Sequence, residues 1–415
     1  MVMIKGFRAL RPRTDLAKRI ASRPYDVLNS EEARLEAKGN PYSFLRVVKS
    51  EIDLPQDTGH YDPIVYQKAA DNLQMMIEEG WLVQEQSDAM YVYRQIMDGH
   101  SQYGLVVSSS VQDYLDGRIK IHELTRELKE KDRITHVDTV NANTGPVFLT
   151  YPSRPSIDTL IAEAVQSEAV YDFSADDGIQ HTVWVIRDEG LQQRLREAFA
   201  ALPASYVADG HHRSKSAAMV GKMRKDRNSE HSGEEEYNWF LSVLFPHDQL
   251  MILDYNRVVT DLNGLSKAAF FKALNKHFDV SECASADEAR PRQKADFGMY
   301  LEKQWYRLRT LTGAYDPADP VKSLDVSILG DHVLHSVLGI GDIRSDERID
   351  FVGGIRGLSE LEKRVDSGEM AVAFALYPTA IEELMSIADS GRIMPPKSTW
   401  FEPKLRSGLL IHLLD

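Results

Sequence analysis

The chain has 415 residues, 43% of them hydrophobic and 27% charged, with a formal net charge of −14 and a single cysteine, Cys283. This balance predicts a globular protein of more than one domain. The acidic sign argues against a nucleic-acid partner, because a phosphate backbone must be met by a basic face, and one cysteine excludes an intrachain disulfide or a cysteine-rich zinc site. The N-terminus lacks the apolar core of a signal peptide, and no window approaches the roughly 20 apolar residues that span a bilayer. A cytoplasmic location with no membrane partner is therefore expected.

In chain order, Asp62-Pro63 reads as a helix cap with proline at the first helical position. Ile64, Val65, Ala69, Leu73, Met76 and Ile77 follow on one face, and Gly80 ends the helix. Residues 90–96 and 103–107 are β-branched and aromatic and predict strands. Residues 124–140 predict a charged helix with Glu127, Glu130, Lys131 and Arg133 turned to solvent. Strands are predicted at 146–151 and 183–187 with a helix near 157–165 between them. A short strand at 206–208 leads into Asp209-Gly210-His211-His212-Arg213 and a helix from Ser214 to about Arg227. Residues 228–236 form a polar loop. Segments 239–245 and 251–259 read as paired strands, and 297–301 with 305–308 as a hairpin closed by Glu302-Lys303-Gln304. Helices near 325–338 and 380–389 flank a strand at 371–376. The alternation predicts a mixed α/β class, with a first region over 1–260 and a second over 261–415.

The histidine loop is the most informative local feature. A strand, a glycine and a helix start aim unpaired N–H groups and a positive helix end at one point, which suits a phosphate. Gly210 permits a positive φ, Arg213 can grip a phosphate through two nitrogens, and His211 and His212 can donate hydrogen bonds. Asp209 suits magnesium coordination or proton abstraction. The plainer reading is a surface turn with two incidental histidines, and a metal site of Asp209, His211 and His212 is a third. Two further polar segments stand out. Residues 120–126 contain His122-Glu123 where a strand gives way to a helix. Residues 394–406 carry Lys397, Ser398, Thr399 and Arg406 on a backbone that its prolines keep from forming one helix. No Walker-type loop, dinucleotide fingerprint or nucleophile elbow is present.

Several pieces together resemble the bacterial family called domain of unknown function 1015: Pro24-Tyr25-Asp26-Val27, residues 40–46, Tyr91-Val92-Tyr93-Arg94-Gln95, residues 120–133, the histidine loop, Asp254-Tyr255-Asn256-Arg257-Val258-Val259 and residues 394–408. More distantly, the His-Glu pair, the histidine loop and Pro395-Pro396-Lys397-Ser398-Thr399 look like those of free L-serine kinases of the ParB and sulfiredoxin superfamily. That resemblance implies an α/β (α+β, mixed-sheet) nucleotide-binding core with an additional lobe. It also implies a kinase acting on a small-molecule hydroxyl, best matched by L-serine, with Mg2+ and ATP or ADP, or pyrophosphate, as donor. Glu123 would deprotonate the hydroxyl, Asp209 would act at the phosphoryl group through magnesium, and Gly210, His211, His212 and Arg213 would cradle phosphates. His122, Lys397, Ser398, Thr399 and Arg406 would hold the acceptor. The kinases carry Thr-Arg-His where this chain has Thr399-Trp400-Phe401, which leaves the acceptor open. A non-catalytic nucleotide-binding regulator and a nucleotide or pyrophosphate hydrolase are the alternatives.

Overall fold

The computed structural model describes residues 1–415 and is mixed α/β, as the alternation predicts. The chain divides into two compact units. One comprises 1–121, 125–250 and 403–415, and the other 122–124 and 251–402. No helix is long and apolar enough to cross a membrane.

The first unit is organised on a nine-stranded sheet. Its middle strand, His100–Ser110, pairs antiparallel with Met90–Met97 on one side and with Trp239–Pro246 on the other. Beyond Trp239–Pro246 lies Val147–Tyr151, parallel to it, and then Ser205–Asp209, antiparallel to Val147–Tyr151. Strands buried on both faces read as continuous apolar runs, and Val147–Tyr151 is buried at every position. The helices Pro155–Ala164 and Glu189–Ala200 bring Ile157, Leu160, Leu195 and Phe199 into the same core as Val92, Leu105, Leu149 and Leu244. A second core joins Phe44, Leu45, Ala69, Leu73 and Met76 to Val140 and Ile411. It is served by the helix Pro63–Glu78, whose start is capped by Asp62 accepting from Ile64 N at 3.1 Å. Each such large apolar side chain, fully buried, contributes roughly 1.5–3 kcal/mol.

Three expectations need correction here. The segment 239–246 does not pair with 251–259. It takes its neighbours from strands far away in sequence, while Met251–Leu253 pairs with Trp400–Glu402 and Tyr255–Val259 with Ile349–Gly353 and Val372–Ala375. The helix after the histidine loop begins at His211 rather than Ser214, because Gly210 alone makes the turn. In the helix Glu127–Val140, Arg133 is largely buried, whereas Leu124 and Leu128, before and within it, are exposed. The inward positions are Asp132, His136 and Val140, and the first two are polar but satisfied: Tyr66 Oη donates to Asp132 at 3.0 Å, and His136 Nε2 is 3.0 Å from the Val47 carbonyl. A burial pattern carried by polar groups does not register as apolar periodicity.

The second unit is built on a six-stranded antiparallel sheet. Its hairpin, Asp296–Leu301 with Gln304–Thr310, turns on two residues, Glu302 and Lys303, with φ of +50° and +63°. That is the primed geometry that follows the right-handed twist of its strands. Cys283 is buried there.

Candidate functional site

The strand Ser205–Asp209 loses its register between Val207 and Asp209, so that Asp209 turns out at the strand end. Gly210 then takes φ +97° and ψ 32°, a conformation that a side chain would strain. The chain enters the 17-residue helix His211–Arg227 without a side-chain cap, and Ser214 N closes the first turn on the Gly210 carbonyl at 2.9 Å. The helix is held in place at its other end. Arg224 Nε donates to Asp138 at 3.0 Å, and a Cβ at Gly221 would meet the Tyr237 carbonyl at 2.5 Å. Gly221 thus serves close packing inside the helix and not a phosphate loop.

Asp209 sits between two cations. Lys404 Nζ donates to its Oδ2 at 3.3 Å, and Arg213 Nη2 lies 3.8 Å from the same oxygen. Burial alone would raise the Asp209 carboxyl, but Lys404 and Arg213 outweigh it and hold the group well below the usual carboxylate range. An ionised carboxylate at the end of this strand is a ligand that a magnesium ion could use. Arg213 donates through Nη1 to the Pro146 carbonyl, while its buried Nε has no partner. His211 is buried, and burial brings its pKa down to about 4 despite Asp209, so it is a neutral imidazole near pH 7. His212 is half-buried and shifted the same way, by burial, with Asp26 and Glu130 opposing.

Asp209, Gly210, His211, His212 and Arg213 are therefore brought together in the first unit, joined by Lys404, which the sequence reading left out of the site. Its only signal was a cation within the proline-interrupted C-terminal segment. Arg406 is in the same unit but engaged elsewhere: it pairs with Asp177 and donates through Nε to His181 Nε2 at 3.2 Å. His181 is fully buried, and burial and Arg406 push its pKa to about 3. Its Nε2 accepts, so its Nδ1 donates to Tyr93 Oη at 2.7 Å.

His122, Glu123, Lys397, Ser398 and Thr399 belong to the second unit. The His122 carbonyl accepts from Met394 N at 2.8 Å. Ser398 is buried, its Oγ donates to the Pro395 carbonyl at 2.6 Å, and its own carbonyl accepts from Thr379 Oγ1 at 2.8 Å. Lys397 is exposed with φ +61°, and its carbonyl is held at 2.8 Å by Arg257 Nη2.

A family described as protein of unknown function (DUF1015) matches residues 4–327. No curated protein matches the chain. Among solved structures, a free serine kinase in complex with AMP is 14% identical with a TM-score of 0.39, covering 74% of this chain and 91% of its own. A conserved hypothetical protein from Pyrococcus furiosus is 13% identical with a TM-score of 0.37 over 75% of this chain and 95% of its own. The C-terminally truncated SbnI from Staphylococcus aureus is 12% identical with a TM-score of 0.32 over 74% and 87%. Likenesses this distant assign no activity.

Proposed function

The chain belongs to the DUF1015 family, and from that premise we propose that it is a small-molecule kinase transferring a phosphoryl group to a hydroxyl, with free L-serine as the best-matched acceptor. One observation carries the reading: Asp209, kept ionised by Lys404 and Arg213, stands beside a left-handed glycine that opens an uncapped helix. Phosphoryl transfer asks for little covalent chemistry and depends mainly on positioning and charge stabilisation. The helix N-terminus supplies oriented N–H groups, and Arg213 and Lys404 supply positive charge against the phosphoryl oxygens. Magnesium, held by Asp209, would add charge neutralisation to a donor such as ATP, ADP or pyrophosphate. His211, neutral and buried, offers a hydrogen bond without a further charge. On the acceptor side the reading assigns Glu123 the hydroxyl proton, with His122, Lys397 and Thr399 positioning the substrate.

Two residues matched to the acceptor have other attachments, Ser398 on the Pro395 carbonyl and Arg406 on Asp177. These attachments favour, as the second reading, a nucleotide-binding regulator without transfer. Incubating the protein with magnesium, L-serine and each donor in turn, and measuring O-phosphoserine by mass spectrometry, separates the two. Product formation supports the kinase, and tight donor binding with no product supports the regulator. Loss of donor without phosphoserine would indicate hydrolysis.

A further inference from the structure

The first unit contains a cleft that shares only Arg213 with the proposed phosphate site; Tyr25, Arg133, Thr144, Gly145 and Ser407 are among its other walls. It encloses about 30 Å³, room for a small group and too little for a nucleoside. Two guanidinium groups share it. Arg133 lies 4.2 Å above the ring of Tyr25, donates through Nε to Asp132 Oδ2 at 2.8 Å, and makes no other hydrogen bond. Asp132 is fully engaged, its other oxygen accepting from Tyr66. Arg213, on the opposite account, carries the buried Nε with no partner. Arg133 opposes the charge of Arg213, while Asp26, exposed, and Asp209, shared with Lys404, support it; Asp132 is engaged by Arg133. Guanidinium N–H groups of both residues nevertheless remain without a hydrogen-bond acceptor. Its walls also carry the Thr144 and Ser407 side chains, and a Cβ at Gly145 would lie 3.0 Å from Ser407 Oγ and 4.0 Å from Arg213 Nη1. The glycine keeps the cleft open.

We propose that this cleft is a second oxyanion subsite, taking a phosphoryl group beside the one at the helix N-terminus, with Arg213 as the wall common to both. Planar guanidinium groups match tetrahedral phosphoryl oxygens through paired hydrogen bonds, and the neighbouring Tyr25 ring fixes Arg133 for that purpose. The inference rests on the reading above only in taking the histidine loop as a phosphate site. The group in the cleft is either the second phosphate of a polyphosphate donor or a free orthophosphate.

Calorimetric titration of the full-length protein with orthophosphate and, separately, with pyrophosphate tests this. If the cleft takes the donor's second phosphate, pyrophosphate binds at least tenfold tighter than orthophosphate. Arg133→Gln and Gly145→Ala then each reduce that preference to less than threefold, with orthophosphate affinity unchanged within twofold. If it takes free phosphate, two orthophosphates bind per chain and one in either variant. Gly145→Ala leaves every ion pair intact and so serves if Arg133→Gln does not fold. Equal stoichiometry and equal preference in wild type and a folded variant would overturn the subsite, as would binding of neither anion by the wild type. The titration contains no acceptor and reads no turnover, so it can fail while O-phosphoserine still forms, and succeed where none does.

Discussion

Lys404 Nζ lies 3.3 Å from Asp209 Oδ2, although 195 positions separate the two in the chain. The pair joins the C-terminal residues to the end of an internal strand and sets the charge of the candidate phosphate site. Replacing Lys404 by Gln removes the leading electrostatic cause of the depressed Asp209 carboxyl and one positive charge from the site. Affinity for a phosphoryl donor is expected to fall about tenfold, as for loss of one charge-assisted contact worth ~1.5 kcal/mol. Calorimetry at low salt reads this. Unchanged affinity would remove Lys404 from the site.

Gly210 holds φ +97°, and a Cβ there would meet Arg213 Nε at 3.1 Å. Gly210→Ala should therefore lower stability by about 1–2 kcal/mol, the cost of the left-handed conformation for a residue with a side chain. It should weaken orthophosphate binding as well, because the strain falls on the helix start. A urea midpoint equal to that of the wild type would mean that the turn relaxes freely.

Glu123 is assigned the acceptor proton. Glu123→Ala is expected to lower turnover by roughly a hundredfold or more, the usual contribution of a general base, while donor affinity stays within twofold. Phosphoserine formation measured beside donor binding tests the assignment. Wild-type turnover in the variant would exclude it.

Arg406→Gln breaks a guanidinium–carboxylate pair whose arginine is 7% exposed and whose partner, Asp177, is 39% exposed. The half-open carboxylate moderates the penalty to about 2 kcal/mol of stability. The acceptor KM is expected to stay within twofold. A KM rise of tenfold with no change in the denaturation midpoint would restore Arg406 to the substrate.

Three buried histidines set an acid limit. His136, His181 and His211 are lowered from 6.5 to about 4, 3 and 4, in each case first by burial. The unfolded chain therefore binds more protons than the folded one between these values and 6.5. Stability is full above about pH 6.5 and is lost as pH falls toward 4, by up to about 1.4 kcal/mol per pH unit for each histidine. Urea midpoints at pH 7, 6 and 5 should fall in that order, and His136→Gln should flatten the trend. A flat profile in the wild type would show that these rings are not buried as neutral groups.

Local features were legible in the sequence because their physics is local. Asp62 caps its helix through its own side chain on Ile64 N, two residues on, the Glu302-Lys303 hairpin turns on its own dihedrals, and the strand–glycine–helix order around Gly210 makes an anion-ready terminus whatever lies around it. Arg133 was misplaced for the opposite reason. Its helix buries Asp132 and His136 against Tyr66 and Val47, partners more than 60 positions away, so the periodicity of apolar residues points elsewhere.

From the residues alone came the α/β class, the family resemblance and the chemistry available at 209–213, all of which depend on short-range geometry and composition. The folded chain alone decided that Lys404 neutralises Asp209, that Arg406 turns to Asp177, and that Arg133 and Arg213 line one cleft. Those are matters of distance between side chains far apart in sequence, and a charge acts through space with a strength set by separation and burial, neither of which is written in residue order.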